Sequence, residues 1–167
     1  MDQTPAIETG VFDANEWFDD VSGEFMTEQE KYMKAALRLA HKAAEEGEVP
    51  VGAVVVCDGK IVGRGRNRRE TKKNALHHAE IEAINKACKK LGGWRLHRCD
   101  LYVTLEPCPT CAGAIINARI KKLYIGTLDE KTGAAGSVLN LFEDYTFNHK
   151  VEVETGILKT DCEMILK

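Results

Sequence analysis

The sequence predicts an α/β protein, a three-layer α/β/α sandwich in which helices flank a mixed five-stranded sheet. Short β-branched runs alternate along the chain with segments of helical apolar periodicity, which is typical of such layered folds. Asp58-Gly59 between two of these runs predicts a hairpin and therefore an antiparallel pair. The chain of 167 residues, 44% hydrophobic and 29% charged, is long enough for one domain with its own core.

The individual elements follow from local signals. Thr27 and Glu30 form a capping box at the start of a helix that extends toward Gly47. Residues 49–57 and 60–65 are the two strands of the hairpin. The remaining predicted elements are a helix that starts at the His78-Ala79-Glu80 motif and ends before 92–93, a strand 99–105, a helix 108–119, a strand 120–125, a short helix 138–142, a strand near 151–154 and a final helix 159–167.

Charge is distributed unevenly along the chain. Residues 1–30 hold nine of the 26 acidic residues and none of the 23 Lys and Arg, so the remainder carries +6 although the net charge is −3. Residues 1–26 are predicted to be an acidic, flexible extension, and residues 27–167 a single domain whose basic character suits a polyanionic ligand. The absence of a long apolar run or a signal peptide predicts a cytoplasmic protein with no membrane contact.

A metal site is predicted from His78, Cys108 and Cys111. Catalytic zinc takes three such ligands and leaves one position for water. Glu80 follows His78 by two residues, so on a helix it faces away from the metal ligands but can handle a proton of that water. His77 remains an alternative to His78. A redox pair or half of a structural zinc site is the other interpretation of the two cysteines.

Four further cysteines, Cys57, Cys88, Cys99 and Cys162, show no ligand spacing and are expected to be thiols within the protein interior.

His78-Ala79-Glu80 together with Pro107-Cys108-x-x-Cys111 is the signature of the zinc-dependent nucleoside and base deaminases. Further segments make the chain from about residue 27 onward similar to the bacterial tRNA-specific adenosine deaminases, which have a cytidine deaminase-like fold. These segments are 48-EVPVGA-53, 66-RNR-68, 93-GWRL-96, 104-TLEPC-108, 131-KTGAAGS-137 and 148-NHKV-151. Departures from the family pattern are Pro109-Thr110, the leader 1–26 and a short final helix.

The resemblance implies conversion of adenosine to inosine at the wobble position of a tRNA anticodon, with one Zn²⁺ per subunit, Glu80 as proton shuttle, the anticodon stem-loop as partner and a homodimer. Matching positions imply four substrate contacts: Asn67 to the adenine edge, Asp129 to the ribose or backbone, and Lys131 and Asn148 along the RNA path. The basic run 64–73 precedes the metal motif, and its Arg68 and Arg69 are weaker candidates for phosphate contacts.

Two alternatives remain open from the sequence. Pro109 favours a deaminase of a free base or nucleoside such as guanine, cytosine or cytidine. A non-catalytic, zinc-stapled RNA-binding module is the other, although such a module has no use for Glu80 beside the metal. The helix segment 112–116 is equally compatible with a dimer face and with the core.

Overall fold

The computed structural model describes residues 26–145 and 147–167. Within them the sheet has five strands in the order β2-β1-β3-β4-β5. The strands are β1 Gly52–Cys57, β2 Lys60–Arg66, β3 Cys99–Leu105, β4 Lys122–Thr127 and β5 Glu152–Thr155. The helices are α1 Glu28–Glu45, α2 Ala79–Leu91, α3 Pro109–Asn117 and α4 Lys159–Ile165.

The sheet is mixed, as the sequence predicts. β1 pairs antiparallel with both β2 and β3, whereas β3, β4 and β5 are mutually parallel. The hairpin turns at Asp58 and Gly59, which both have positive φ angles of 51° and 76°, the backbone conformation that an Asp-Gly turn provides. Since β2 is also parallel to β3, the carboxyl ends of β2, β3 and β4 meet at the same edge of the sheet.

Helices cover both faces of the sheet, which confirms the three-layer sandwich. On one face, α2 and α3 pack over inward residues such as Val55, Leu101 and Leu123. On the other face, α1 and α4 pack over Val54 and Tyr102. All six residues of β1 are buried, because the strand lies between β2 and β3 and helices cover both faces of the sheet. This burial explains its continuous apolar run.

Glycines in β2 allow α2 to approach the sheet closely. A Cβ built on Gly63 would overlap the backbone of Ala83, and one on Gly65 would overlap the backbone of Ala79. Without side chains at these positions, the helix backbone rests directly on the strand. This contact sets the height of the first turn of α2 above the sheet.

The predicted short helix at 138–142 is wrong. The segment forms turns, with an isolated bridge between Ala135 and Asn140. The Asn140 side chain accepts hydrogen bonds from the backbone N–H groups of Phe142 (3.0 Å) and Glu143 (3.1 Å). A side chain that bonds the backbone nearby competes with helix formation, and the buried Phe142 ring anchors the turn in the core.

Elsewhere the element ends lie within three residues of the prediction, and the bounds of β3 match it. The helix predicted over 108–119 ends at Asn117, because Arg119 has a left-handed φ of 65°. Its guanidinium donates to the carbonyls of Ile116 (3.1 Å) and Asn117 (3.3 Å).

The predicted acidic extension lies, except for Met26, outside the described residues. Among the residues that are described, the structure has no helix both long and apolar enough to cross a membrane.

Candidate active site

The predicted site lies at the edge of the sheet where the strands β2, β3 and β4 end. Asn67 follows β2, Cys108 follows β3 by three residues and Asp129 follows β4. Helices α2 and α3 start beside this edge, with His78 and Cys108 as their N-cap residues. The chain therefore directs the N-terminal ends of two helices, which favour negative charge, toward one place.

The three predicted metal ligands are brought together. His78 Nδ1 lies 3.3 Å from Cys111 Sγ and 3.6 Å from Cys108 Sγ. One ligand atom from each of these residues lies within 4.8 Å of the others, so the group could hold a metal ion. His77 points elsewhere, since its Nε2 lies 3.1 Å from a carboxylate oxygen of Glu82. Of the two histidines that the sequence left open, His78 is therefore the one that lies beside the two cysteines.

Burial and mutual hydrogen bonding perturb the acid–base properties of this group. The hydrogen bond from Cys111 lowers the pKa of Cys108 to about 3, with a further contribution from His78. The same bond raises the pKa of Cys111. The hydrogen bond with Cys108 raises the pKa of His78, and burial raises the pKa of Glu80 to about 7. A lowered pKa of Cys108 favours the thiolate, which is the form of cysteine that binds metals.

A pocket of about 150 Å³ opens over the cluster, and His78, Glu80 and Cys108 contribute to its wall. The Glu80 side chain is buried, with 4% of the residue exposed. Of the predicted substrate contacts, Asn67 and Asp129 line this pocket, together with Val49, Val51, Arg69, Ala79, Leu105, Glu106 and Thr132.

Lys131 and Asn148 are exposed and are not among the residues that line the pocket.

Asn67 and Asp129 also organise their own loops. Asn67 Oδ1 accepts a hydrogen bond from the Arg69 N–H at 3.2 Å, and its amide lies 3.4 Å from the Val49 carbonyl. The Asp129 carboxylate accepts from the N–H and hydroxyl of Thr132 and from the Lys131 N–H. Both residues are thus fixed in orientation before any ligand binds.

Two buried glutamates that the sequence did not single out hold the end of β2 and the loop that follows it. Glu48 accepts hydrogen bonds from Glu70 N–H (3.2 Å), Thr71 N–H (2.7 Å) and the Thr71 hydroxyl (2.6 Å), and the Thr71 bonds lower its pKa. Glu82 accepts from the Arg66 N–H at 2.9 Å. Burial alone would raise the pKa of Glu82, but this hydrogen bond, the one with His77 and nearby cations outweigh burial and lower it.

A third missed residue, Glu106, is 3% exposed and lies between the last residue of β3 and Pro107. The sequence signal that could have identified Glu106 is an acidic residue at the end of an apolar run. A carboxylate is buried there only if it is paired or hydrogen-bonded.

Two arginines of the basic run 64–73 form ion pairs within the protein. Arg66 forms a bidentate ion pair with Glu46, at 2.9 and 2.8 Å, and Arg68 lies 3.4 Å from Glu82. Arg69 is exposed and lines the pocket. Of the two weaker candidates, Arg69 is therefore the one whose charge lies beside the pocket.

A larger cleft of about 350 Å³ runs along β2 between α1 and α2. None of the predicted catalytic, metal-binding or substrate-binding residues lines it. The predicted residues that line a cavity therefore line the smaller pocket and not this cleft.

The fold and this constellation, a His-Cys-Cys cluster beside a buried glutamate, define a deaminase. Residues 27–164 match the family model described as MafB19-like deaminase. The tRNA-specific adenosine deaminase of Bacillus subtilis (strain 168) is 50% identical over 137 residues, which are 82% of this chain and 85% of the relative. The chain belongs to the family of tRNA-specific adenosine deaminases.

Solved structures distinguish this family from its neighbours. A structure from a study of A-to-I editing by tRNA:A34 deaminases is 44% identical, covers 81% of this chain and 98% of its own, and has a TM-score of 0.78. The guanine deaminase of Bacillus subtilis is 34% identical, covers 71% and 86%, and has a TM-score of 0.57. The chain is therefore more similar to the tRNA deaminase than to the free-base deaminase.

Proposed function

We propose that the protein hydrolytically deaminates adenosine to inosine at the wobble position of a tRNA anticodon. The observation that carries this function is the buried Glu80 carboxylate in the pocket that also contains His78 and Cys108. The 50% identical relative named tRNA-specific adenosine deaminase supports the choice of substrate.

His78, Cys108 and Cys111 would hold the resident metal, Zn²⁺, with one ion per subunit. Zinc bonds of 2.0–2.1 Å to nitrogen and 2.3 Å to sulfur give N···S separations of about 3.5 Å in a tetrahedral site. The separations of 3.3 and 3.6 Å from His78 Nδ1 to the two sulfurs fit this value. Zn²⁺ with three protein ligands keeps a position for water and lowers the pKa of that water toward neutrality.

Glu80 moves the protons of the reaction. Its carboxylate takes a proton from the attacking water and delivers it to N1 of adenine, which makes C6 more electrophilic. After the water oxygen has bonded to C6, Glu80 takes the proton that remains on this oxygen and passes it to the amino group. The C6–N bond then breaks, ammonia leaves, and the C6 carbonyl of inosine remains. Burial of Glu80 keeps competing water away from the carboxylate.

The pocket accepts a single base that has left its stack, which an unpaired anticodon loop permits at low cost. Asn67 contacts the adenine edge, and Asp129 contacts the ribose or backbone of the target nucleotide. Lys131 and Asn148 act outside the base pocket along the RNA path, and Arg69 supplies positive charge at the pocket wall.

The functional unit is a homodimer in which α3 contributes to the interface. The helix buries Ala112, Ile115 and Ile116 in the core of its own subunit. Gly113 faces open space, with nothing within 4 Å of an added Cβ, and Pro109 and Thr110 are exposed. A helix face of small residues permits close approach of a second copy. Multi-angle light scattering of the native protein and of Gly113→Arg tests this, since the bulky cation should shift dimer to monomer.

The test of the proposed function is mass spectrometry of nucleosides from an anticodon stem-loop with a wobble adenosine, incubated with the zinc-loaded protein. Inosine should appear with the native protein and vanish with Glu80→Ala. Free guanine, cytosine and cytidine are the parallel substrates. Turnover of a free base without turnover of the stem-loop would establish the alternative that the guanine deaminase similarity represents. No turnover of any substrate would leave a zinc-stapled binding module.

A further inference from the structure

Glu106 has no role in the chemistry proposed above, yet it makes four hydrogen bonds to one loop beside the pocket. Its carboxylate accepts from the backbone N–H groups of Asp129 (3.0 Å), Ala135 (2.8 Å) and Ser137 (3.1 Å), and from the Ser137 hydroxyl. All four donors are neutral, and they come from the loop that follows β4. Such a carboxylate serves as the anchor of that loop.

The loop leaves room for this carboxylate at one position in particular. A Cβ added to Gly133 would overlap the carboxylate carbon and both carboxylate oxygens of Glu106. The Ala134 N–H donates to the Pro107 carbonyl at 2.8 Å. The loop is thus fastened to the two residues that directly precede the metal ligand Cys108.

The anchored loop is also a wall of the pocket. Asp129 and Thr132 line the pocket together with Glu106 itself. The Glu106 carboxylate accepts a hydrogen bond from the backbone N–H of Asp129. The Asp129 carboxylate in turn accepts hydrogen bonds from the Lys131 N–H and the Thr132 hydroxyl. The position of Asp129 relative to Cys108 therefore depends on the Glu106 carboxylate.

We propose that Glu106 is a positioning residue. It fixes the distance between the metal ligands and the pocket wall formed by Asp129 and Thr132, and this distance allows the wall to bind the target nucleotide. It acts through Asp129 and takes no part in proton transfer. The inference rests on the proposed function, because the wall matters only if a nucleotide enters this pocket. It goes beyond that function because it assigns a role in nucleotide binding to a residue that takes no part in the reaction.

The expected consequence is a loss of binding with little loss of chemistry. In Glu106→Gln, one acceptor is replaced by an amide NH₂ group that faces N–H donors, so the wall shifts. KM for the stem-loop, and its Kd measured in a Glu80→Ala background, should each rise about tenfold or more. The kcat and the zinc content should stay near native, since uniform binding alone is lost. Ser137→Ala, which removes one donor, should change KM in the same direction by a smaller factor.

The matched control is Glu130→Gln, which removes the same charge from an exposed position of the same loop and should leave KM and Kd native. Gly133→Ala provides a second perturbation from the loop side and should reproduce the Glu106→Gln profile. If Glu106→Gln does not fold, Gly133→Ala and Ser137→Ala decide the question by the same measurements.

Three outcomes would overturn the proposal. Native KM and Kd in Glu106→Gln or in the two loop variants would mean that the loop does not need its anchor. A fall in kcat at native KM would place Glu106 in the chemistry. Loss of zinc would mean that it supports Cys108 instead of the wall. If the native protein itself produces no inosine, the proposed function has failed, whereas an active native protein with native-like variants refutes only the role of Glu106.

Discussion

Substitution of Gly65 by alanine tests whether the close contact of α2 with β2 sets the geometry of the active site. A Cβ on Gly65 would lie 2.6 Å from the Ala83 backbone nitrogen and would also overlap the carbonyl of Ala79, the first residue of α2. Ordinary contacts begin at 3.4 Å, so the helix must retreat by about 0.8 Å at this atom. The first turn of α2 contains Glu80 and follows His78 directly.

Two effects of Gly65→Ala can be estimated. Overpacking of this kind costs about 1–3 kcal/mol, which in a protein of this size corresponds to a fall in Tm of about 2–12 °C. A displacement near 1 Å at a catalytic group can cost about 100-fold in rate. We therefore expect a folded but less stable protein whose kcat/KM falls by up to about two orders of magnitude.

The matched control is Gly63→Ala, whose Cβ would lie 2.9 Å from the nitrogen of Ala87, in the second half of α2. It should lower stability to a similar degree but reduce kcat/KM less, because the first turn is farther from the overlap. Urea unfolding and kinetics on the anticodon stem-loop, both with zinc present, provide the comparison. Native stability in Gly65→Ala, or equal losses of activity in the two variants, would refute the reasoning.

Four further predictions concern the site. Glu80→Gln should bind zinc at the native stoichiometry while kcat falls about 10²–10⁴-fold, since one proton-transfer group is lost; a fall in zinc content would contradict this. Chelation should abolish turnover, and added Zn²⁺ should restore it in the native protein but not in Cys111→Ala, as metal analysis and the inosine assay would show. His77→Gln should retain zinc, whereas His78→Gln should lose it. The lowered pKa of Glu82 stabilises the fold above about pH 4.5, and this contribution is lost as the pH falls through the folded-state pKa. Glu82→Gln should accordingly have a lower urea midpoint than the native protein at pH 7, and the two midpoints should converge on acidification. An equal difference in midpoint at pH 7 and pH 3 would argue against that linkage.

Local signals were sufficient for most of the fold. The Thr27 capping box is present, with Glu30 N–H donating to Thr27 Oγ1 at 3.1 Å and Thr27 N–H donating to the Glu30 carboxylate at 3.0 Å. The hairpin turns at Asp58-Gly59 as predicted. The segment 138–142 was misassigned because its apolar spacing resembles a helix, while the side chain of Asn140 closes a turn there. Apolar spacing alone does not distinguish a short helix from a turn that buries a single residue, here Phe142.

The loops around the site were less predictable. Arg68 belonged to a run with no visible partner in sequence, yet it lies 3.4 Å from a Glu82 oxygen on α2. Glu106 looked like part of a motif, and its role depends on donors 23 to 31 residues away. Hydrogen bonds between segments so far apart leave no periodic trace in the chain.

The sequence by itself predicted which residues carry the chemistry. His78 with Glu80, and Cys108 with Cys111, are each separated by two or three positions at the start of a helix, and such short spacings fix direction through helix geometry alone. Only the tertiary structure decided that the two helix starts meet within hydrogen-bonding distance, and which loops surround them. That decision depends on the packing of α2 and α3 against a common sheet and on buried carboxylates that join distant segments. These are contacts between parts of the chain that no local pattern connects.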